Sequence, residues 1–206
     1  MKKMNRKDTI TYEAHGNLYL NITNRCTAEC VFCIKRYSDG VYGYNLRLSK
    51  EPSLSEIINE LSQADLSKYK EAVFTGMGEP LLRLDDVLKI TRWLTDRGVP
   101  TRLDTIGHAR LLYPGRNVAK ELAEAGMKVV SVSLNAQDED TYNKLCGPKL
   151  RDAYKKMLDF ARDISKAGIE LRFTVVELPV VDIEECKALA KAYCAGFKVR
   201  GYSGPV

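Results

Sequence analysis

Cys26, Cys30 and Cys33 carry the strongest chemical signal in the chain. They fall in Asn21-Ile-Thr-Asn-Arg-Cys-Thr-Ala-Glu-Cys-Val-Phe-Cys33, just after a segment that reads as a strand. Three thiolates at this Cys-x3-Cys-x2-Cys spacing can hold three corners of a cubic iron–sulfur cluster, which ordinarily takes four cysteines. Three local ligands leave one iron open to a small molecule, so the spacing points to chemistry rather than electron storage. Zinc is the alternative. It calls for paired Cys-x2-Cys knuckles or added histidines, and the only histidines, His15 and His108, have no ligand partner at close spacing. A disulfide is disfavoured. The basic start Met-Lys-Lys-Met-Asn-Arg-Lys is followed by no apolar signal stretch, and a reduced, cytoplasmic setting is the default for such a chain.

The elements that must position these cysteines follow from the chain's punctuation. At 206 residues and 45% hydrophobic content, the length suits one domain with a real core. Residues 16–206 are assigned to it, and residues 1–15 to an N-terminal tail or short extension. No apolar run is long enough to cross a membrane. The net charge of +5 is modest, and its basic residues are interspersed with acids. That is the pattern of a solvated surface rather than a nucleic-acid footprint. The run Lys2, Lys3, Arg6, Lys7 reads as a tail.

One pattern recurs: Ala125-Gly-Met-Lys-Val129, Ala167-Gly-Ile-Glu-Leu171, Ala195-Gly-Phe-Lys-Val199 and, more loosely, Arg97-Gly-Val-Pro100. In each, an amphipathic stretch ends at Gly, the favoured residue just past a helix end, and an apolar stretch follows. Ser53 with Glu56 forms a capping box ahead of the stripe Leu54, Ile57, Ile58, Leu61. Further helices are predicted from Asp85 or Asp86, over 117–125, over 152–166, and after Asp182. Strands are predicted over 18–23, 72–76, 101–105, 129–135, 169–176 and 197–202. Repeated strand–helix alternation implies a parallel sheet with helices outside. The expected fold is α/β, a partial, open (β/α)6 TIM-like barrel, because a closed eight-stranded barrel needs roughly 250 residues.

Alternation within these strands separates two faces. Val130, Val132 and Leu134 oppose Ser131, Ser133 and Asn135. Leu171, Phe173 and Val175 oppose Glu170, Arg172 and Thr174. Phe197 and Val199 oppose Lys198, Arg200 and Tyr202, and Leu18, Leu20 and Ile22 oppose Tyr19, Asn21 and Thr23. A parallel sheet covered on both faces reads as continuous hydrophobics. A polar inner face implies a lumen built for a polar ligand, or one face open to water. In such folds ligands sit at the carboxyl ends of the strands. The cysteines, the turn Thr75-Gly-Met-Gly-Glu-Pro80, the turn Thr105-Ile-Gly-His108 and Asn135 all fall on that rim. The leftover cysteines differ. Cys186 sits on an apolar helix face, Cys146 in a loop before Gly147-Pro148 is the best reactive candidate, and an auxiliary cluster including Cys194 lacks convergent spacing.

Together these residues resemble the radical SAM superfamily. The resemblance implies a [4Fe-4S] cluster on Cys26, Cys30 and Cys33, with the aromatic Phe32 before the third cysteine and S-adenosylmethionine on the open iron. It implies that Gly76, Met77, Gly78 and Glu79 match the Gly-Gly-Glu-type turn that receives the methionine amine, with Met77 a departure. Thr105 and Gly107 resemble a Thr-Asn-Gly turn in which Ile106 replaces Asn. Ser133 and Asn135 match polar ribose or carboxylate contacts, and Val176 lies where backbone meets adenine. The match runs from about residue 16 to 203. Gly107-His-Ala-Arg-Leu-Leu-Tyr-Pro-Gly-Arg-Asn117 and Tyr142-Asn-Lys-Leu-Cys-Gly-Pro148 are similar to radical SAM proteins associated with TatD-type nucleases.

The activity so implied is reductive cleavage of S-adenosylmethionine to methionine and a 5′-deoxyadenosyl radical, which abstracts hydrogen from a small-molecule or peptide substrate. Arg172, Arg200, Tyr202 and His108 are the candidates for substrate contact. An Arg paired with Glu170 or Glu177 as scaffold is the competing role. An electron donor such as flavodoxin or ferredoxin belongs to this reading. Two other classes compete: an activase installing a glycyl radical on a partner protein, and a non-catalytic metal- or nucleic-acid-binding module. A six-stranded sheet leaves a lateral gap. The gap is expected to be closed by substrate or by a second copy in a homodimer, with the tyrosine-rich segment 37–47 as a docking loop or a loop packed on its own barrel.

Overall fold

The computed structural model describes residues 8–202 and Gly204. Lys2, Lys3, Arg6 and Lys7 lie outside them. The strands are β1 (Thr11–Ala14), β2 (Asn17–Asn21), β3 (Gly40–Val41), β4 (Tyr44–Asn45), β5 (Ala72–Thr75), β6 (Thr101–Thr105), β7 (Val129–Ser133), β8 (Glu170–Val176) and β9 (Gly196–Arg200). The α-helices are α1 (Leu54–Gln63), α2 (Leu84–Thr95), α3 (Ala109–Leu112), α4 (Val118–Ala125), α5 (Glu139–Cys146), α6 (Ala153–Lys166) and α7 (Ile183–Ala192). The main sheet runs β1-β2-β5-β6-β7-β8-β9. Its last six strands are parallel and are the six expected, while β1 pairs antiparallel with β2. Part of the segment assigned to a tail or short extension is therefore an edge strand.

The capping box forms, with Ser53 Oγ accepting from Glu56 N at 3.2 Å and Glu56 Oε2 accepting from Ser53 N at 2.7 Å. Asp182 caps α7 through Glu185 N at 2.9 Å. Asp85 and Asp86 fall in the first turn of α2 rather than before it. Gly126 ends α4 at φ 95°, the left-handed conformation that glycine adopts without steric cost. The copy at residue 196 differs: Gly196 starts β9, and Cys194 takes the left-handed position at φ 52°. The short helix α5 was not anticipated; Asp138 caps it by accepting from Thr141 N at 2.8 Å.

One face of every central strand packs outward. Leu18, Leu20, Phe74, Leu103, Val130, Val132, Leu171, Phe173 and Val175 join the helices' apolar stripes in one core. Register sets the other face in layers, with Asp104, Ser131, Arg172 and Gly196 side by side, and Ser133, Thr174 and Lys198 one layer nearer the rim. Expected strand ends overran at Thr23, Gly76, Asn135 and Tyr202, because those residues already turn into rim loops.

Segment 37–47 packs against β1, the β1–β2 turn and the residue run after β9. Tyr44 tilts against Tyr12 of β1 at 5.6 Å, Tyr42 Oη lies 2.9 Å from His15 Nε2, and Tyr37 meets Tyr202 edge-on at 6.2 Å. Asn21 Nδ2 donates to Leu46 O at 2.8 Å and Asn24 Nδ2 to Leu48 O at 2.7 Å, fixing the segment's far end. Of the two roles weighed for segment 37–47, these contacts are those of a loop packed on its own barrel.

Candidate active site at the carboxyl rim

Cys26, Cys30 and Cys33 are half-buried on the loop after β2. Three elements hold that loop. From the turn after β5, Glu79 N donates to Arg25 O at 2.8 Å. From the turn after β6, His108 Nδ1 lies 2.9 Å from Thr27 Oγ1. From the end of α5, Cys146 O accepts from Glu29 N at 3.0 Å, Leu145 O accepts from Val31 N at 2.8 Å, and Ala28 bridges Pro148. Cations frame it: Arg36 donates to Cys30 O at 2.9 Å, Lys35 to Asn24 O at 3.1 Å, and Lys149 pairs with Glu29 at 2.8 Å. Positive charge around a thiolate cluster offsets its negative charge.

Gly76 and Gly78 serve this bracing. A Cβ on Gly76 would stand 2.3 Å from Asn21 Oδ1, and one on Gly78 would stand 2.4 Å from Arg25 O. The close approach that these glycines allow is to the end of β2 and the cysteine loop. Met77 points into a small cluster with Tyr12 and Leu46. Phe32 packs at the edge of the main core.

Glu79 is only 2% exposed. It accepts from Leu81 N at 2.9 Å, Thr105 Oγ1 at 2.8 Å and Ile106 N at 2.7 Å. Burial pushes its carboxyl up to about 7 against those three donors. Thr105 in turn accepts from Gly107 N at 3.0 Å, and a Cβ on Gly107 would stand 2.7 Å from Met157. The turns after β5 and β6 are thus locked together through one carboxylate.

His108 requires a correction. Expected at the substrate, it is instead enclosed at 0% exposure, and its Nε2 lies 2.9 Å from Tyr142 Oη. Both ring nitrogens are occupied by protein, and burial pulls the imidazole down to about 4. Neutral imidazole suits a structural pair of hydrogen bonds. Its pairing with Thr27 and Tyr142 is not legible in the sequence, because the partners lie 81 and 34 positions away on other strand–helix units. Cys146 is corrected likewise: it ends α5 and is 1% exposed, not a reactive loop thiol. Cys186 is buried on α7 as read.

Asn135 follows β7 at φ 59°, in left-handed backbone where a non-glycine residue is strained. It is buried, its Nδ2 approaches Cys146 Sγ at 3.7 Å, and its Oδ1 has no partner among the described residues. The hydroxyls of Thr91 and Thr101 share that condition but lie on α2 and at the amino end of β6. Ser133 is half-buried, and Val176 ends β8. Arg172 pairs with Glu170 at 2.7 Å, the scaffold arrangement weighed above. Arg200 is exposed on the lumen side, with Asp104 and Cys30 as its electrostatic neighbours. Among the described residues no three His, Cys, Asp or Glu side chains gather around one point. A cubane cluster asks for thiolates spread over its corners instead.

Burial pushes the Cys26 thiol up to about 11, with the Glu79 charge adding to it, and contact with Cys146 followed by burial raises Cys30. Metal binding must therefore displace protons. A mostly parallel open barrel with a three-cysteine loop on its carboxyl rim and an orphaned buried amide oxygen nearby is suited to a metal cluster beside a small polar ligand.

The comparisons narrow the class. Residues 20–192 match the model of the Radical SAM superfamily, and the chain belongs to that superfamily. Membership implies a [4Fe-4S] cluster and S-adenosylmethionine as its cofactors. A relative named "GTP 3',8-cyclase" from Microcystis aeruginosa is 27% identical over 84% of this chain and 51% of its own length. A "Probable GTP 3',8-cyclase" from Halobacterium salinarum is 30% identical over 77% and 42%. The chain thus spans about half the length of these relatives. Streptococcus suis SuiB bound to S-adenosylmethionine superimposes with a TM-score of 0.70 at 18% identity, over 91% of this chain and 40% of SuiB. The structure titled "Native anSMEcpe with bound AdoMet" gives 0.65 at 16%, over 91% and 51%. These likenesses agree with the open-barrel fold. The three cysteines, the clustered cations and the unmatched Asn135 Oδ1 fit the family's cofactors. No helix among the described residues is long and apolar enough to cross a membrane.

Proposed function

We propose that the carboxyl rim holds a [4Fe-4S] cluster on Cys26, Cys30 and Cys33 beside S-adenosylmethionine, and that the open half of the lumen receives a small-molecule or peptide substrate. The bound cofactors supply a 5′-deoxyadenosyl radical that takes hydrogen from the substrate. The observation that carries the cofactor site is Asn135. Its amide oxygen is buried, strained into place and unsatisfied, at a cost of about 1–3 kcal/mol until a donor arrives.

Gly76, Met77, Gly78 and Glu79, with Thr105 and Gly107, form the wall that faces the methionine end, and Ser133, Asn135 and Val176 the wall toward the nucleoside. Because the Glu79 oxygens are committed to protein donors, Glu79 acts on the amine as a negative charge behind the turn. A buried carboxyl poised near neutrality ionises when a cation arrives. Arg200 and Tyr202 stand on the opposite side as substrate contacts, with Lys198 beside them, while Arg172 is held by Glu170 as scaffold.

The substrate class follows the open half. Two solved neighbours are titled with bound peptides, SuiB with its precursor peptide SuiA and anSMEcpe with Kp18Cys peptide. The relatives' printed names concern a nucleotide. Both chemistries carry anions that Arg200 and Lys198 suit. The activase reading remains the alternative and would need a docking surface for a large partner. The finer likeness to TatD-associated radical SAM proteins rests on the 107–117 and 142–148 segments. An external electron donor such as flavodoxin or ferredoxin completes the scheme.

The test is anaerobic incubation of the iron-reconstituted protein with dithionite and S-adenosylmethionine. 5′-Deoxyadenosine and methionine are the expected products. A fully iron-loaded, reduced protein that forms neither overturns the proposal.

A further inference from the structure

The lumen carries opposite charges on its floor and at its rim. On the floor, Glu71 and Asp104 share one guanidinium. Arg102 Nε donates to Glu71 Oε1 at 3.0 Å, and Arg102 Nη1 donates to Asp104 Oδ1. Two carboxylates on one cation leave the trio with an uncompensated negative charge. The Asp104 side chain keeps 32% of its surface open, and burial raises its carboxyl above the ordinary value in spite of Arg102. Ser131 stands beside Asp104 in the register of β6 and β7. It is 4% exposed, and its hydroxyl has no hydrogen-bond partner among the described residues. Val130 and Val132 on either side of it point into the core, so the Ser131 hydroxyl points into the lumen. A buried hydroxyl left unpaired is costly and calls for a partner.

The cations stand on β9. Gly196 occupies the layer of Asp104, Ser131 and Arg172 and adds no side chain to it. Lys198 and Arg200 follow on the same face. At a rise of about 3.3 Å per residue they lie about 7 Å and about 13 Å nearer the rim. Both are exposed, and neither is in an ion pair among the described residues. Arg200 is thus an electrostatic neighbour of Asp104 without pairing to it. Arg172 is occupied by Glu170 at 2.7 Å.

We propose that the lumen selects an ampholyte, with an ammonium group held by the Asp104 carboxylate and the Ser131 hydroxyl, and an anionic group nearer the rim held by Lys198 and Arg200. This rests on the substrate reading above and narrows its class. An ammonium group is all donor and no acceptor. Asp104 Oδ2 and Ser131 Oγ both accept, and the positive charge completes the floor's balance. A short peptide with a free amino terminus and an acidic far end has this pattern and length. A nucleotide satisfies the rim cations but leaves the floor charge and the Ser131 hydroxyl unmet.

The test uses the iron-reconstituted protein with S-adenosylmethionine under anaerobic conditions. A mixed library of tripeptides with free ends is offered, and retained members are identified by mass spectrometry after rapid gel filtration. The same library acetylated at its amino ends is the control, and GTP is the anion without an ammonium. Wild type should retain acidic members with free amines about tenfold better than their acetylated forms, the effect of one charge-assisted hydrogen bond. Asp104→Asn keeps an oxygen for Arg102 and should lose that preference, with a smaller loss in Ser131→Ala. Lys198→Ala combined with Arg200→Ala should remove the preference for acidic members. Should Asp104→Asn not fold, the acetylation control decides the matter on wild type alone. Equal retention of free and acetylated peptides, retention of GTP alone, or no retained peptide overturns the inference. Iron content and 5′-deoxyadenosine formation are measured on the same samples. A protein that holds its cluster and cleaves S-adenosylmethionine without an amine preference rejects this inference alone. One that does neither rejects the reading beneath it, and the inference with it.

Discussion

The rim over β2, β5 and β6 and the rim over β8 and β9 come from the same strand–helix repeat, yet they treat polar side chains in opposite ways. On the first, Asn21, Thr23, Glu79, Thr105 and His108 are buried, and each is engaged by hydrogen bonds to neighbouring loops. On the second, Lys198 and Arg200 are exposed, and Arg172 is half-buried in a pair with Glu170. The difference teaches where rigidity is needed. A cofactor site must be held by neighbours whose own positions are locked. A substrate surface keeps its polar groups solvated until the ligand replaces the water.

Removing the three ligands should have the largest effect. Cys26, Cys30 and Cys33 changed together to Ala should leave a colourless protein without iron and without 5′-deoxyadenosine formation, by iron assay and product analysis. Iron retained at full content would falsify the ligand assignment.

Next comes Glu79→Ala. It strands the Leu81 and Ile106 amides and the Thr105 hydroxyl inside the closed rim, at about 1–3 kcal/mol for each buried group left unpaired. Denaturant unfolding should register the loss, and calorimetry should show weaker S-adenosylmethionine binding with iron retained. Unchanged stability would mean that the closed half is not braced through this carboxylate.

Acid should reach the closed half through His108. Its folded value of about 4 lies below the ordinary 6.5 because burial disfavours the imidazolium. Between those two values the unfolded chain binds the extra proton, so stability falls as the pH drops from 6.5 through 4, by up to about 3 kcal/mol. Glu79 has the opposite sign. Its folded value near 7 exceeds 4.5, so its share of stability is full at low pH and is lost as the pH rises through 7. In His108→Gln the acid slope should flatten. A slope identical to wild type in unfolding curves from pH 4 to 7 would remove His108 from this account.

The smallest effect belongs to the open half. Arg200→Ala and Lys198→Ala should change stability by no more than about 0.5 kcal/mol, as surface substitutions do, while leaving iron and S-adenosylmethionine binding intact. A large loss of melting temperature in either would erase the contrast between the two rims.

Much of this organisation was legible beforehand. The capping box at Ser53, the Gly126 stop and the outward stripes of β7 and β8 are local patterns, and local patterns are what a sequence displays. The rim residues were legible as a set because each sits at the end of a predicted strand. The occupation of His108, the commitment of Glu79 and the burial of Cys146 were not. Each depends on a partner from another strand–helix unit. Edge strand β1 was missed because four residues carry little periodic signal.

By itself the sequence determined the ligand spacing, the alternating faces and the order of elements, since these depend on neighbours along the chain and on the periods of helix and strand. Only the tertiary structure decided which polar groups meet. Thr27 reaches His108 across 81 positions, and His108 reaches Tyr142 across another 34. It also decided that segment 37–47 packs against Tyr12, His15 and Tyr202. Such contacts are set by how the parallel strands register and curl, and by the cost of leaving a buried donor unpaired. No window of the sequence contains both partners.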